Sequence, residues 1–324
     1  MTKVSVYIPV YKAGPFMEKC CRTLFEQTLT DLEYVFVDDC TPDDSMEILK
    51  QVLDQYPHRK NGVKILRNET NLGVAKTIKK AIEACTGEYL IRCDPDDYVA
   101  TDLYEKMLQK AQMENADVVV CDYAEVKADK ITPRLQPTFQ DGLEAMRLIM
   151  QPKLAPSLCN KLFHKYLITQ IEIWPNINYG EDTILSFQLF YNCRHAISLP
   201  YVGYFYQFNH NSIVNCPGIE QHLFRGECSR SYSKILMDYI SKHNLNSTFS
   251  TDIRKLKFFA KDHMLILMRH WGFYWRWFWT YPELNLYGLI DKNRLPFARF
   301  THLIALLGLY PLYYQVKNLL KKGK

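Results

Sequence analysis

The stretch Cys93-Asp94-Pro95-Asp96-Asp97-Tyr98 follows a short apolar run at 88–92 that predicts a buried strand, and a helical pattern begins at about residue 101. The three carboxylates therefore come where a strand ends and the chain turns. In open α/β sheets, ligands bind just outside the carboxyl ends of the strands. Three neighbouring acids repel one another, which favours a divalent cation held by carboxylates and substrate phosphates. The alternative is a solvated acidic turn that caps the next helix.

Composition indicates a folded chain with an uneven distribution of charge. The 324 residues are 48% hydrophobic and 23% charged, which suits one large or two modest domains. The ten cysteines show no zinc-site spacing and predict free thiols. We expect no signal peptide, since a strand pattern begins directly after Met1-Thr2-Lys3, and we expect a cytoplasmic protein. Residues 254–324 carry thirteen Lys/Arg and three Asp/Glu, a net charge of +10 against −5 for the rest.

The first half of the chain alternates between strand and helix patterns. Strands are predicted at 4–10, 33–37, 63–66, 88–93 and 117–121, and helices at 16–27, 74–85 and 101–115. Another helix is predicted to start with Thr41 as its N-cap and Pro42 in its first turn. This order predicts an α/β fold with a mostly parallel sheet covered by helices on both faces. The sequence lacks GxGxxG after the first strand and lacks GxxxxGK[ST], which argues against dinucleotide-binding and P-loop proteins.

Two pairs of acids near residue 40 have different explanations. Asp43 and Asp44 fall in the first turn of the predicted helix, where acids stabilise the N-terminus. Asp38 and Asp39 come earlier, at the carboxyl end of a predicted strand, and capping does not explain them. We therefore treat Asp38 and Asp39 as candidates for ligand contact.

Four short motifs together resemble the family 2 glycosyltransferases. They are Pro9-Val10-Tyr11, Val37-Asp38-Asp39, Asn71-Leu72-Gly73 and Asp94-Pro95-Asp96-Asp97. Each is weak alone, but they occur in the order and at the spacing of that family over about residues 3–215. The resemblance implies the GT-A fold, a nucleotide-sugar donor, Mg²⁺ or Mn²⁺ as cofactor, and inversion at the anomeric carbon. It also implies that Asp94 and Asp96 bind the metal, and that the donor is bound by Pro9, Val10, Tyr11, Asp38, Asp39, Asn71, Gly73, Asp94 and Asp96.

The middle of the chain carries the predicted acceptor side and the catalytic acids. Leu158-Cys159-Asn160-Lys161-Leu162-Phe163 resembles the family's W-N-K-L-[FY] segment, with Cys159 in place of Trp. Lys161 is the acceptor-side candidate, and the alternative is a lysine whose stem is buried while its amine reaches solvent. Asp182 resembles the family's catalytic base, with Glu181 beside it. The alternative for both acids is stabilisation of a helix N-terminus.

The last third, 216–324, predicts a helical C-terminal extension to a catalytic domain at 1–215. It has helical patterns near 220–243 and 250–268, then eight aromatic residues within 271–281. An apolar stretch at 303–314 is too short to span a bilayer and is followed by Lys317, Lys321, Lys322 and Lys324. We expect peripheral contact with the inner face of the membrane. The alternative is a helical subdomain that packs its aromatic residues internally.

The sequence therefore predicts transfer of a sugar, in particular from a UDP-sugar, to a hydroxyl of a saccharide or lipid-linked saccharide in bacterial surface polysaccharide synthesis. No nucleic-acid partner is expected. One alternative is a non-catalytic saccharide- or membrane-binding relative with the same fold. A receiver-type phospho-switch would also show early paired acids, but it would be far shorter. A sugar nucleotidyltransferase would carry a glycine-rich loop after the first strand, which is absent here.

Overall fold

The chain forms two compact units, residues 1–210 and 211–324, in the computed structural model. The structure describes residues 2–128, 130–210, 212–216, 218–291 and 294–322, without the side chains of Ile266, Lys321 and Lys322. Lys324 of the predicted basic end thus lies outside the described residues. The expected division after residue 215 stays a prediction, since contacts within the chain divide it near His210.

One sheet organises the first unit. Its nine strands in the described residues are β1 Val4–Val10, β2 Leu32–Asp38, β3 Val63–Arg67, β4 Tyr89–Arg92, β5 Tyr98–Val99, β6 Val118–Lys127, β7 Lys130–Arg134, β8 Lys161–His164 and β9 Ala196–Gln207. Their order across the sheet is β3-β2-β1-β4-β8-β6-β9-β5, and β7 pairs with β6. The strands β3, β2, β1 and β4 run parallel to one another. This part of the sheet confirms the α/β fold that the sequence predicts.

The other half of the sheet is mixed. β8 lies antiparallel between β4 and β6, with Leu90 opposite Phe163 and Val119 opposite Leu162. β9 then returns parallel to β6. A four-residue strand such as β8 carries too little periodicity to be recognised in the sequence. The sheet is therefore less uniformly parallel than the alternating pattern alone indicates.

Helices cover the sheet because each presents one apolar stripe to it. In the first unit they are α1 Gly14–Phe25, α2 Ser45–Asp54, α3 Val74–Ala84, α4 Leu103–Met113, α5 Gly142–Met150 and α6 Glu181–Asn192. Val4, Val6, Ile8 and Val10 of β1 share one core with α1 and α2. α3 contacts β1 and β2 outside that core, as expected for helices on both faces of the sheet.

The start of α2 corrects one sequence expectation. Thr41 is not the N-cap, because the helix begins four residues later at Ser45. The Asp43 carboxylate instead accepts hydrogen bonds from the hydroxyls of Thr41 and Ser45, both at 2.6 Å, and from the Gly14 amide at 2.8 Å. Asp43 therefore joins the turn before α2 to the start of α1 rather than acting within a first helical turn.

The second unit is helical. Its helices are α7 Ile219–Lys242, α8 Ser250–His263, α9 Tyr274–Phe278, α10 Tyr287–Ile290, α11 Pro296–Leu306 and α12 Tyr310–Lys322. A small core forms around the buried Trp277, with Met264, Leu267, Met268 and Ala305. Within the described part of the chain, no helix combines the length and the apolar character that a membrane crossing requires.

Candidate active site

Three adjacent parallel strands end at one edge of the sheet, in the order β2, β1, β4. The Asp39 amide donates to the Val10 carbonyl at 2.9 Å, and the Cys93 amide donates to the Tyr7 carbonyl at 3.1 Å. These bonds align the points at which the chain leaves each strand. The residues that follow, Tyr11, Asp39 and Asp94, consequently start from the same edge, where parallel α/β sheets bind their ligands.

The first motif lies partly within the sheet. Pro9 and Val10 are buried residues of β1, paired with Val37 and Asp38 of β2. Tyr11 is the first exposed side chain after the strand, 42% accessible. Lys12 Nζ lies 5.2 Å from the centre of the Tyr11 ring, which is otherwise accessible, whereas Pro9 and Val10 are buried in the strand before it. Asp38 is buried and accepts a hydrogen bond from the Thr41 amide at 2.7 Å, which shapes the turn after β2.

Asp39 organises the loop that contains Asn71 and Gly73. Its Oδ1 accepts hydrogen bonds from Asn68 Nδ2 and from the Leu72 amide, both at 2.8 Å. Its Oδ2 accepts from the Gly73 amide at 3.0 Å. Gly73 has a φ of 85°, a conformation that favours glycine. The second and third motifs are therefore joined by direct bonds, with Asn71 exposed at the outer end of the loop.

The acidic stretch after β4 divides into two roles. Asp94 and Asp96 are half-buried, and Asn209 Nδ2 donates to Asp96 Oδ2 at 3.0 Å. Burial, together with the nearby charge of Asp94, raises the pKa of Asp96. An additional positive charge would therefore stabilise the ionised form of Asp96. The acids do not cap the next helix, since α4 begins only at Leu103, so the solvated-turn alternative is wrong.

Asp97 is a buried support for this turn. Its Oδ2 accepts from the Tyr204 hydroxyl at 2.5 Å and its Oδ1 accepts from the Gln207 amide at 2.8 Å. Cys159 Sγ, close by, donates to Asp94 Oδ2 at 3.1 Å. Asp94, Asp97 and Cys159 thus offer three possible metal-ligand atoms within 4.8 Å of one another. Burial followed by the Asp94 charge raises the pKa of the Cys159 thiol, which keeps it protonated as a donor.

Arg92 lies at the centre of the site. This buried residue of β4 donates from Nε to Asp94 Oδ1 at 2.6 Å. Its Nη1 donates to Asp182 Oδ1 at 2.7 Å and to Glu181 Oε1 at 3.2 Å. Both acids belong to the first turn of α6, preceded by Gly180 with a φ of 87°. One guanidinium therefore links the acidic turn after β4 to the start of α6.

Burial and charge act in opposite directions on the acids of this cluster, where the guanidinium of Arg92 and the amine of Lys161 both favour the ionised form of Asp182. Burial raises the pKa of Asp182, and the positive charge of Arg92 opposes that rise. Burial and the Asp182 charge likewise raise the pKa of Glu181. Burial disfavours the charge of Arg92, but the carboxylates of Asp182 and Asp94 outweigh it and raise its pKa. The cluster can accept a proton at Asp182 or Glu181 and bind positive charge at Asp94.

The comparison with known families agrees with this arrangement. Residues 5–171, which contain the strand ends and the acidic turn, match the family described as Glycosyl transferase family 2. The chain belongs to glycosyl transferase family 2. This membership and the open mixed sheet confirm the family and the GT-A fold class that the four motifs predict.

Relatives of this family 2 chain include two bacterial proteins. The "Uncharacterized glycosyltransferase EpsJ" of Bacillus subtilis is 27% identical over 237 residues, which cover 68% of this chain and 66% of the relative. The "Uncharacterized glycosyltransferase YibD" of Escherichia coli is 36% identical over 120 residues, which cover 37% of this chain and 33% of the relative. The chain thus spans about two thirds of the first relative and one third of the second.

Solved structures share the fold over nearly the whole chain. S. aureus TarS 1–349 in complex with UDP-GlcNAc has a TM-score of 0.67 at 18% identity, with 99% of this chain and 92% of that chain covered. The mannosyltransferase PcManGT from Pyrobaculum calidifontis, in complex with GDP-Man and Mn²⁺, has a TM-score of 0.55 at 16% identity, with 98% and 83% covered. At these identities the likeness concerns the fold.

The amine of Lys161 in this family 2 chain does not reach solvent, so the alternative drawn from the sequence is wrong. The side chain is fully buried. Its Nζ donates to the carbonyls of Ala155 and Ser157, both at 2.6 Å, and to Asn160 Oδ1 at 3.0 Å. Burial lowers the pKa of Lys161 to about 8. The lysine holds the loop before β8 in place, and a contact with an acceptor stays a prediction.

Sequence reasoning missed three members of the site. Arg92 is the most important of them. Its charge at the end of the apolar run 89–92 is the feature of the sequence that could have marked it as a site residue. Asn68 precedes the Asn71 motif and bonds to Asp39, with no local pattern that marks it. The sequence marks Cys159 only as a replacement for the Trp of the family segment, whereas its thiol contacts Asp94 directly. All three depend on contacts between residues far apart in the chain.

Proposed function

We propose that the chain transfers a sugar from a UDP-sugar to a hydroxyl of a saccharide or lipid-linked saccharide, with inversion, in bacterial surface polysaccharide synthesis. The observation that carries the proposal is the Arg92 cluster, which brings Asp182 and Asp94 to one guanidinium at the ligand-binding edge. TarS in complex with UDP-GlcNAc supports a UDP-sugar as donor. A 31% identity over 107 residues to Escherichia coli chondroitin synthase supports a saccharide acceptor.

The donor side of the proposed site is formed by Tyr11, Asp39 and the loop at Asn71 and Gly73. Tyr11 offers an exposed ring on which a nucleobase can stack, beside the loop that Asp39 holds. Pro9, Val10 and Asp38 lie at the paired ends of β1 and β2 and fix where the chain leaves the sheet. We assign these residues to nucleoside recognition.

A divalent cation suits the residues at Asp94 and Asp96. Both offer carboxylate oxygens, which Mg²⁺ and Mn²⁺ prefer, and burial with the Asp94 charge raises the pKa of Asp96. The group of Asp94, Asp97 and Cys159 is less suitable, because Asp97 is buried and a thiol is a soft ligand. When bound, the cation neutralises charge on the departing diphosphate. PcManGT in complex with Mn²⁺ supports this assignment.

Asp182 acts as the general base in this proposal. The acceptor oxygen forms a bond to C1 of the sugar while the bond from C1 to the diphosphate oxygen breaks, and the acceptor proton passes to Asp182. The electron pair of the broken bond leaves with the nucleoside diphosphate, so one displacement inverts C1. Arg92 orients the Asp182 carboxylate and favours its ionised form, against the burial that raises the pKa of Asp182. Glu181 is the neighbouring carboxylate, and Lys161 supports the acceptor side through the loop before β8.

A donor screen tests the proposal. Purified protein is incubated with UDP-sugars and GDP-sugars without acceptor, in the presence of Mn²⁺, of Mg²⁺ or of a chelator, and release of nucleoside diphosphate is measured. We expect metal-dependent release from a UDP-sugar. Failure to bind or hydrolyse any of these donors, with or without metal, would contradict the proposal and favour a non-catalytic relative of the same fold.

A further inference from the structure

The C-terminal unit exposes apolar side chains in helical rows. On α11 the row is Phe297, Phe300, Leu303 and Leu307, each between 41 and 62% exposed. The spacing of three, three and four residues places all four on one side of the helix. An ordinary surface helix directs such a row toward a core. This one directs it to the outside, while Thr301, His302 and Ala305 are buried.

A second row follows on α12. Leu312, Val316, Leu319 and Leu320 are between 47 and 71% exposed, again at the spacing of one helical side. The two helices pack against each other: the rings of Phe300 and Tyr313 lie 6.2 Å apart, and Lys317 Nζ lies 5.1 Å from the centre of the Phe297 ring. The two rows therefore belong to neighbouring helices, with a lysine amine beside an aromatic member of the first row.

Three tryptophans form a third row close to these helices. Trp271, Trp275 and Trp279 recur every four residues and are 60 to 65% exposed, whereas Trp277 between them is buried. The Tyr274 hydroxyl donates to the Leu306 carbonyl at 3.0 Å, which joins α9 to the end of α11. We call the three rows together the C-terminal apolar surface. Exposed apolar patches of this kind mark interaction sites on soluble proteins.

Charge decides between possible occupants of this surface. Residues 295–324 contain five Lys/Arg and no Asp or Glu. A second copy of the chain would bring the same positive charges to the contact, which disfavours self-association. An anionic lipid surface is complementary, because lysines favour anionic headgroups while Trp rings and shallow apolar rows favour the interface. Helices of eleven and thirteen residues reach only about 20 Å, short of the roughly 30 Å hydrocarbon core.

We propose that the C-terminal apolar surface docks on anionic lipid and lies in the headgroup layer, with the tryptophan row and the exposed rows of α11 and α12 inserted. The sequence alone predicts membrane attachment through the terminal lysines and the aromatic segment, without distinguishing individual side chains. The structure adds the particular rows that enter the lipid. The proposal does not depend on sugar transfer, so it stands or falls separately from the proposed function.

Vesicle flotation of the full chain tests the docking. Vesicles of phosphatidylcholine with about one third phosphatidylglycerol are compared with phosphatidylcholine alone. We expect wild type to float with the anionic vesicles and not with the neutral ones. The double variant Leu303→Glu, Leu307→Glu should bind at least about tenfold more weakly, since it places two charges in the inserted row. The variant Leu135→Glu changes a leucine that is 73% exposed in the first unit and should bind as wild type does.

Two further measurements complete the test. Tryptophan fluorescence should shift to shorter wavelength on anionic vesicles, because Trp271, Trp275 and Trp279 leave water, and lipids brominated near the headgroup should quench it. Circular dichroism of the double variant should match wild type, which separates lost docking from lost folding. Wild type that stays in solution with anionic vesicles would overturn the proposal. So would a dimer in light scattering that Leu303→Glu, Leu307→Glu dissociates without any vesicle binding by wild type.

Discussion

Arg92 Nη1 lies 2.7 Å from Asp182 Oδ1, although 90 residues of chain separate the two. The same guanidinium reaches Asp94 through Nε at 2.6 Å. Both bonds are charge-assisted and shielded from solvent, so each is stronger than a typical neutral hydrogen bond. The predicted metal-binding turn and the predicted base thus share one cation. A displacement of either carboxylate should therefore move the guanidinium and change the hydrogen bond to the other carboxylate.

We expect Arg92→Lys to slow transfer more than it weakens donor binding. A lysine keeps the charge, but its single ammonium cannot hold Asp94 and Asp182 in the fixed geometry of a guanidinium. Steady-state kinetics should show kcat reduced by about tenfold or more with a smaller change in the donor KM. Arg194→Lys is the matched control, since Arg194 pairs with Asp117 outside the site. An unchanged kcat in Arg92→Lys would remove Arg92 from the positioning role.

Replacing Asp182 by Asn should abolish most transfer while donor binding persists. The amide preserves size and the position in the first turn of α6, but it does not take up a proton at the pH of the assay. Loss of a general base typically lowers the rate by about 10²–10⁴-fold. Product formation and UDP binding are measured on the same preparation. If transfer stays within about threefold of wild type, well below that loss, Glu181 becomes the candidate base.

Asp94→Ala and Asp96→Ala should each remove the metal-dependent part of UDP binding and leave the fold intact. Each substitution takes away one of the two carboxylates that we assign to the metal, and burial with the Asp94 charge raises the pKa of Asp96. Calorimetry with UDP, with and without Mn²⁺, measures the difference. Asp102→Ala is the control, because Asp102 is a nearby acid paired with Lys106 on the surface. Metal-dependent affinity that survives in both site variants would rule out this pair as the metal ligands.

The sequence correctly predicts the position of Asp39 and Asp94 at strand ends, and their roles in ligand binding stay predictions. Asp39 and Asp94 were identified because parallel strands place their carboxyl ends at one edge, a rule that needs only strand order. Arg92 could not be assigned a role, because its partners in α6 are fixed by the fold and not by spacing along the chain. Lys161 shows the same limit: burial with three local acceptors and exposure to solvent look alike in sequence.

Local signals were correct only where no tertiary contact competed. Asp141-Gly142-Leu143-Glu144 has the spacing of a capping box, which predicts a helix start, and the Glu144 amide at the start of α5 donates to Asp141 Oδ1 at 2.8 Å. Thr41 carried an equally good capping pattern, yet Asp43 draws its hydroxyl into a turn shared with α1. The difference lies in the neighbouring helix, which the local sequence around Thr41 does not contain.

His302 in the C-terminal unit should make stability depend on pH. The imidazole is fully buried against Phe258 and Trp277, and its Nε2 bonds to the Asn285 carbonyl at 2.9 Å. Burial, with smaller contributions from Arg294 and Lys261, lowers the pKa of His302 to about 4, while the bond to Asn285 opposes that shift. Nδ1 has no partner among the described residues, so a second proton there would be buried without an acceptor.

The sign of the effect follows from proton binding. An unfolded histidine takes up its proton near pH 6.5 and the folded one near pH 4, so the unfolded chain binds more protons between these values. The free energy of unfolding should therefore fall on acidification through this window, by at most about 3–4 kcal/mol. Burial raises the pKa of Asp262 to about 6, which acts in the opposite direction.

We expect His302→Gln to remove the His302 contribution to the pH dependence of stability and to leave that of Asp262. Denaturant unfolding followed by tryptophan fluorescence reports on this unit, since four of the five tryptophans lie at 271–279. His270→Gln, at an exposed position, is the control. Identical pH slopes for wild type and His302→Gln would show that the buried imidazole does not resist protonation.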